Sequence, residues 1–195
     1  GRDIKRYGYD WANLWLIYIP WHFPYQFDES IQGASKKAED AFREQYPAVY
    51  SHMLQYKEPL SKRNKAETGI RYEWYAMQRW GAKYWEDFYK PKLFYADITQ
   101  QLNFCICHDV MFCNNTTYFI ATENELILDH LSKYLNSPLI DWYYRTLSVQ
   151  LGEKAVRMFS IYVLEIPIPP VGNTDIYKAY NLSTSEIAYI ENREV

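Results

Sequence analysis

The sequence predicts an α+β domain in which small antiparallel sheets are flanked by helices. Three observations lead there. Hydrophobic residues make up 48% of the 195 positions and aromatics 18%, enough surface to bury in a real core and too much for a disordered chain. After Pro91 the chain breaks into short runs rich in β-formers, separated by turn residues. On both sides of those runs lie segments with helical spacing that open on Ser35, Asn124 or the Ser183-Thr184-Ser185-Glu186 capping pattern.

Taken in order, Gly1–Tyr9 is polar and basic, and Trp11–Ile19 reads as a strand of mixed apolar residues. Pro20 and Pro24 make Trp21–Asp28 an irregular aromatic loop. Ser35 opens a helix that runs through Phe42 and stops before Pro47, because Pro disfavours helical backbone in the residue ahead of it. A second helix covers Ala48–Lys57, with Val49, Met53 and Tyr56 on one face, and Pro59 breaks it or begins the next element. Glu67-Thr68-Gly69 is a turn, and Trp74–Trp80 a short helix. Leu93–Ile98, Phe104–Cys107, Met111–Cys113 and Thr117–Ala121 are the strands of an antiparallel sheet, with Asn103 and His108-Asp109 at its turns. Asn124 then caps a helix lined by Leu126, Ile127, Leu131 and Leu135, and Pro138 restarts another through Arg145 that ends near Gly152. Phe159–Ile168 is extended, and the capping box places a last short helix at Glu186–Arg193.

Composition bounds the function. No apolar run reaches the length of a membrane span; Trp15–Phe23 is short and broken by Pro20. No secretory signal is visible, and a chain opening on Gly1 without Met is expected to be part of a longer protein. Residues 1–93 carry 15 Lys and Arg against 12 Asp and Glu, a balance of +3, whereas residues 94–195 carry 6 against 12, a balance of −6. The formal total of −3 argues against a protein that coats nucleic acid indiscriminately, but not against a module with one basic face. Cys105, Cys107 and Cys113 are odd in number and sit in alternating apolar stretches, which fits reduced, buried thiols in the cytoplasm. With His108 they invite a zinc reading, but the spacing departs from paired C-x₂-C and core thiols are the better account. His22, His52, His108 and His130 lie in four unrelated contexts without a Gly-flanked Ser, and Gly is scarce at 7 residues. Neither a hydrolytic triad nor a phosphate loop is present.

The most informative stretch is Lys57–Ile98. It holds nine Lys and Arg against six Asp and Glu, threaded with Tyr72, Trp74, Tyr75, Trp80, Tyr84, Trp85, Phe88 and Tyr89. Cations among aromatic faces suit phosphate neutralisation and stacking. An amphipathic segment with a core face and solvated charges would look the same from composition.

Order separates the two. The segment YPAVYSHMLQYKEPLSKR, the Trp-rich run after it, YKPKLFYADI, NNTTYFI, the helix ending in YLNSPLIDWYY and FSIYVLEIPIPP follow one another from Tyr46 to Pro170. In that order they resemble the C-terminal target-recognition domain of TaqI-like, type IIG restriction–modification enzymes, and GRDIKRY resembles the junction where such chains leave an adenine-specific methyltransferase domain. The resemblance implies a target-recognition fold over residues 1–170, with residues 171–195 a linker and short helix. It implies a bacterial, cytoplasmic protein whose partners are double-stranded DNA and covalently attached methyltransferase or endonuclease domains, with no membrane. Such methyltransferases carry an Asn-Pro-Pro-Tyr-type motif, which this chain lacks. The fragment is therefore expected to be no enzyme alone and to hold no cofactor, S-adenosylmethionine and Mg²⁺ being implied for the parent.

Residue chemistry then nominates contacts. Lys57, Lys62, Lys65 and Lys83 are the phosphate candidates. Arg63, Asn64 and Arg71 are the base-edge candidates, since guanidinium pairs bidentately with guanine and amide with adenine. Trp74 and Trp80 are read as supporting the loop from beneath. Two other classes fit part of the composition: an aromatic-platform carbohydrate-binding module, prompted by 20 Tyr and 7 Trp, and a protein-interaction domain using the helices of Asn124–Leu147.

Overall fold

The computed structural model describes residues 1–192. The chain forms two compact units, one made of Trp15–Trp85 and one made of Gly1–Leu14 with the chain from Glu86 onward.

The Trp15–Trp85 unit is built from helices and turns. Helix α1 (Lys36–Gln45) starts where Ser35 Oγ accepts from Ala38 N at 3.2 Å, and it ends at Tyr46. Pro47 opens α2 (Pro47–Leu54), where its missing N–H costs nothing. Pro59 sits in the first turn of α3 (Lys57–Ser61) for the same reason. The core is aromatic: Phe42, Tyr50, Tyr72, Trp74 and Tyr75 pack with Ile19 and Ala76. Phe42 lies 4.7 Å from Tyr75 and meets Tyr50 edge-on at 5.5 Å, the geometry aromatic quadrupoles favour.

Two expected elements are absent here. Trp11–Ile19 is coil rather than a strand: apolar content alone does not make a strand without a partner edge. Met77 N donates to Ile19 O at 2.8 Å, and Ile19 and Pro20 are its first buried residues. Trp74–Trp80 forms turns rather than a helix. The carbonyls of Trp74 and Ala76 accept from Arg63 Nη2 at 3.0 and 2.7 Å, so a side chain takes acceptors that a helix would use internally.

The second unit is mixed. Its strands are β1 (Ile4–Lys5), β2 (Gly8–Tyr9), β3 (Lys92–Ala96), β4 (Ile98–Thr99), β5 (Phe104–Cys107), β6 (Thr117–Ala121), β7 (Gln150–Leu151) and β8 (Ala155–Arg157). β1 and β2 form a hairpin; β5-β3-β6 and β4-β8-β7 form two three-stranded antiparallel sheets. In the first sheet Phe94 faces both Cys105 and Phe119 across the ladder. β3 is buried throughout because both faces are covered. Leu93, Tyr95 and Phe104 pack with Leu128 and Leu135 of α4 (Glu125–Leu135) and with Ile140 and Tyr144 of α5 (Pro138–Leu147). On the other face Phe94, Cys105 and Cys107 pack with Ile4, Tyr9, Met111, Cys113 and Phe119.

Here too the pattern is refined. Met111–Cys113 is not a strand. In α4 the buried hydrophobic positions are Leu128, Tyr134 and Leu135, whereas Leu126 is 68% exposed and Ile127 also faces solvent. Asn124 caps α4 as expected, accepting from Leu126 N and Ile127 N. Phe159–Ile168 is not extended: α6 (Ser160–Val163) forms a helical turn that brings Val163 and Ile166 into the core. Two more helices follow, α7 (Ile176–Ala179) and α8 (Thr184–Glu191), the latter with both limbs of the Ser183–Glu186 capping box. The expected end of that helix at Arg193 lies outside the described residues. Among the described residues no helix is long and apolar enough to cross a membrane.

Candidate nucleic-acid interface

The seven nominated contact residues from Lys57 to Lys83 all lie in the Trp15–Trp85 unit, where three glutamates organise the chain. Glu73, 3% exposed, accepts from His22 N and Ser35 N at 2.8 Å and pairs with His22 Nδ1 at 3.0 Å. It thus satisfies two loop amides that no strand ladder reaches. Glu39 accepts from Trp74 Nε1 at 2.7 Å and Tyr50 Oη at 2.8 Å, with Lys57 Nζ at 3.7 Å. Partial burial opposes its ionisation, but those donors outweigh it and hold the carboxyl below its ordinary range. In return, burial and the Glu39 hydrogen bond push the Tyr50 phenol up to about 12. Glu67 is the third. Its Oε1 meets Arg71 Nη1 at 2.9 Å and Arg79 Nη2 at 3.3 Å, and its Oε2 meets Arg79 Nη1 and Asn64 Nδ2, each at 2.9 Å. The Arg79 hydrogen bond, with both positive charges, holds the Glu67 carboxyl below its ordinary range.

Turn chemistry shapes the chain around Glu67. Asn64 O accepts from Glu67 N and Thr68 N, while Asn64 Oδ1 accepts from Ala66 N at 3.2 Å, an Asx turn. Gly69 at φ +77° reverses direction, and Gly33 at φ +82° lets its backbone pass Ile70, whose O would lie 2.7 Å from an added Cβ.

Each nominated residue has a definite place. Arg63 donates from Nε to Leu60 O at 3.0 Å and from Nη2 to Trp74 O and Ala76 O; burial of the guanidinium draws its pKa down. Asn64 is engaged in the turn and with Glu67. Both therefore build the loop, a task the polar character of SKRNK did not reveal. Arg71 is exposed, tied to Glu67, with its guanidinium 5.5 Å from the Trp21 ring. Lys57 lies over Trp74 at 4.9 Å, and Lys62 pairs with Glu58 at 2.5 Å on the surface. Lys65 and Lys83 are exposed and make no ion pair among the described residues. Trp74 is buried beneath the loop. What residue chemistry missed are Glu67 and Arg79 as a pair, and Trp21, which stacks on Tyr72 at 4.8 Å and 21°. Glu67 and Arg71 carried an (i, i+4) signal; Arg79, twelve positions away, carried none.

Three cations of the other unit turn inward. Arg145 pairs with buried Asp141 at 2.7 Å and Arg157 with Asp97 at 3.2 Å, while buried Lys92 donates to Asp109 O at 3.0 Å. Burial pushes the thiols up, Cys105 to about 12 and Cys113 to about 11, so neither is a ready thiolate ligand at neutral pH.

Exposed guanidinium and ammonium groups stand here beside packed aromatic rings, an arrangement able to meet anions. The match with known proteins makes that specific: residues 1–168 fit the TaqI-like C-terminal specificity domain, and the chain belongs to that family. Its class of function is therefore recognition of DNA sequence in restriction–modification, as a specificity module that is not itself catalytic. No curated protein matches the chain.

Proposed function

We propose that residues 1–170 form the target-recognition domain of a bacterial, cytoplasmic type IIG restriction enzyme, with residues 171–195 as a C-terminal appendage. In this reading the domain docks on duplex DNA and positions an attached adenine-specific methyltransferase, endonuclease or both. The observation that carries it is the family match over residues 1–168. Lys57, Lys62, Lys65 and Lys83 neutralise phosphates and set register, Arg71 faces the groove, and Arg63 and Asn64 keep the loop in shape for it. S-adenosylmethionine and Mg²⁺ would be bound by the attached domains, where the methyl-donor and cleavage chemistry resides.

Selection from a randomised duplex pool tests the reading. The chain should enrich a short common site, with affinity falling steeply as salt rises because phosphate contacts release counterions. It should neither methylate duplexes with labelled S-adenosylmethionine nor nick plasmid with Mg²⁺. A salt-insensitive preference for oligosaccharides would instead support the aromatic-platform alternative.

A further inference from the structure

We propose that Glu67 presents Arg71 and Arg79 as a pair of guanidinium readers for guanine edges in the major groove, Glu67 acting as their positioning residue. This rests on the DNA-recognition reading above and assigns its specificity to residues that family membership does not name.

The geometry supports the assignment on three sides. Glu67 is largely enclosed, its side chain 13% exposed, whereas those of Arg71 and Arg79 are 58% and 65% exposed. The carboxylate therefore stands behind and the guanidiniums in front. Each arginine also keeps donors for a ligand. Arg71 uses only Nη1 toward Glu67, and among the described residues its Nε and Nη2 donate to nothing. Arg79 uses Nη1 toward Glu67 and Gln78 O, and Nη2 once toward Glu67, which leaves Nε and the second Nη2 hydrogen. Five N–H groups per guanidinium make this sharing possible. Finally, Arg71 is also steadied by Trp21, whose ring centroid lies 5.5 Å from the guanidinium and which itself stacks on the fully buried Tyr72. Trp21 is itself pinned by its Nε1–Met77 O hydrogen bond at 2.8 Å.

An arginine tied to a carboxylate and placed beside an indole has already lost part of the rotamer freedom that base contact would cost. The carboxylate also cancels part of the local positive charge, which weakens indiscriminate attraction to phosphate and favours contacts that depend on hydrogen-bond geometry. Lys65 and Lys83 have no such buttress and suit the phosphate role. Surface ion pairs are usually worth little to stability, so two arginines converging on one carboxylate are better explained by placement than by folding.

The test compares variants of this chain on its selected site and on scrambled duplexes, at low and physiological salt. Arg71→Ala and Arg79→Ala should each lower cognate affinity by roughly tenfold to a hundredfold and relax the preference at one G·C position, with scrambled DNA bound nearly as before. Arg79→Lys keeps the charge without the fork and should lose the same preference. Glu67→Gln is the sharpest variant: net charge rises, so scrambled DNA should be bound at least as well, yet preference should fall at both positions together. A general electrostatic or purely structural role does not separate those readouts. Uniform loss on all duplexes for the two arginine variants, with the salt slope reduced by about one, would reassign them to phosphate and overturn the proposal. So would a Glu67→Gln chain that keeps its preference. Should arginine variants behave as wild type while Lys65→Ala or Lys83→Ala weakens binding, this proposal fails and the DNA reading stands. If the wild-type chain binds no duplex, both fall.

Discussion

The two units satisfy their backbones by different means. In the sheet-bearing unit, ladders on both edges of β3 pair the amides and carbonyls, and buried side chains fill the remaining gaps. Asn136, for example, accepts from Phe104 N and donates to Phe104 O and Ser132 O, each at 2.8–2.9 Å. The Trp15–Trp85 unit has no such ladder, only an isolated bridge between Thr68 and Tyr72, and long-range side-chain contacts take over. Glu73 and Arg63 hold segments that lie far apart in sequence. Charges follow the same division. The helical unit carries ten Lys and Arg against eight Asp and Glu, the other eleven against sixteen. The lesson is that a loop-rich unit leaves its surface free for recognition, at the cost of hanging its fold on a few ionised groups.

Glu73→Ala would break that arrangement most severely. It leaves His22 N and Ser35 N without their partner inside the unit, a loss of roughly 3–5 kcal/mol. Trp15, Trp21, Trp74, Trp80 and Trp85 all belong to this unit, so tryptophan fluorescence in urea should show its midpoint falling first. An unchanged midpoint would mean that Glu73 does not hold the loops.

Asn136→Ala is the matching change on the other side. About 1–3 kcal/mol should be lost, since the buried Phe104 N–H then loses its side-chain acceptor, while Phe104 O keeps Tyr7 N. Far-UV circular dichroism is the suitable probe, and the change should be small in tryptophan fluorescence, with only Trp11 and Trp142 in that unit.

Arg63→Ala sharpens the comparison further. Removing donors to three carbonyls should cost roughly 1–2 kcal/mol, and Arg63→Lys should recover only part of it because an ammonium cannot span them. Full stability in Arg63→Ala, with a lost base preference, would return Arg63 to the DNA surface.

Acid should act in the same direction as Glu73→Ala but more gently. Glu39 is held below its usual value of 4.5, so the stability it adds is fully present above that pH and lost as pH falls through its lowered value. Glu39→Gln should flatten the acid limb of a fluorescence titration. The thiols give the smallest response. With Cys105 and Cys113 raised to about 12 and 11, a thiol reagent at pH 8 should label them only after unfolding, and a chelator should leave the melting temperature unchanged. Stoichiometric zinc in native mass spectrometry would contradict this.

What the sequence determined by itself was whatever depends on neighbours in the chain. Ser35, Asn124 and Ser183 announced helix starts because a cap binds amides two or three residues on. Phe104–Cys107 and Thr117–Ala121 announced strands through short apolar runs, and the ordered motifs announced the family. Trp11–Ile19 and Phe159–Ile168 misled because a run of bulky residues is equally apolar in coil, strand or helical turn, and only a partner surface decides among them. The candidate site divided along the same line. Cationic character was legible, but which cations face outward was not. That is fixed by tertiary contacts such as Arg63 on Trp74 and Ala76, and Arg79 on Glu67. An arginine's role depends on whether a backbone carbonyl or a carboxylate reaches it first, and folding brings those acceptors from positions that no local pattern links.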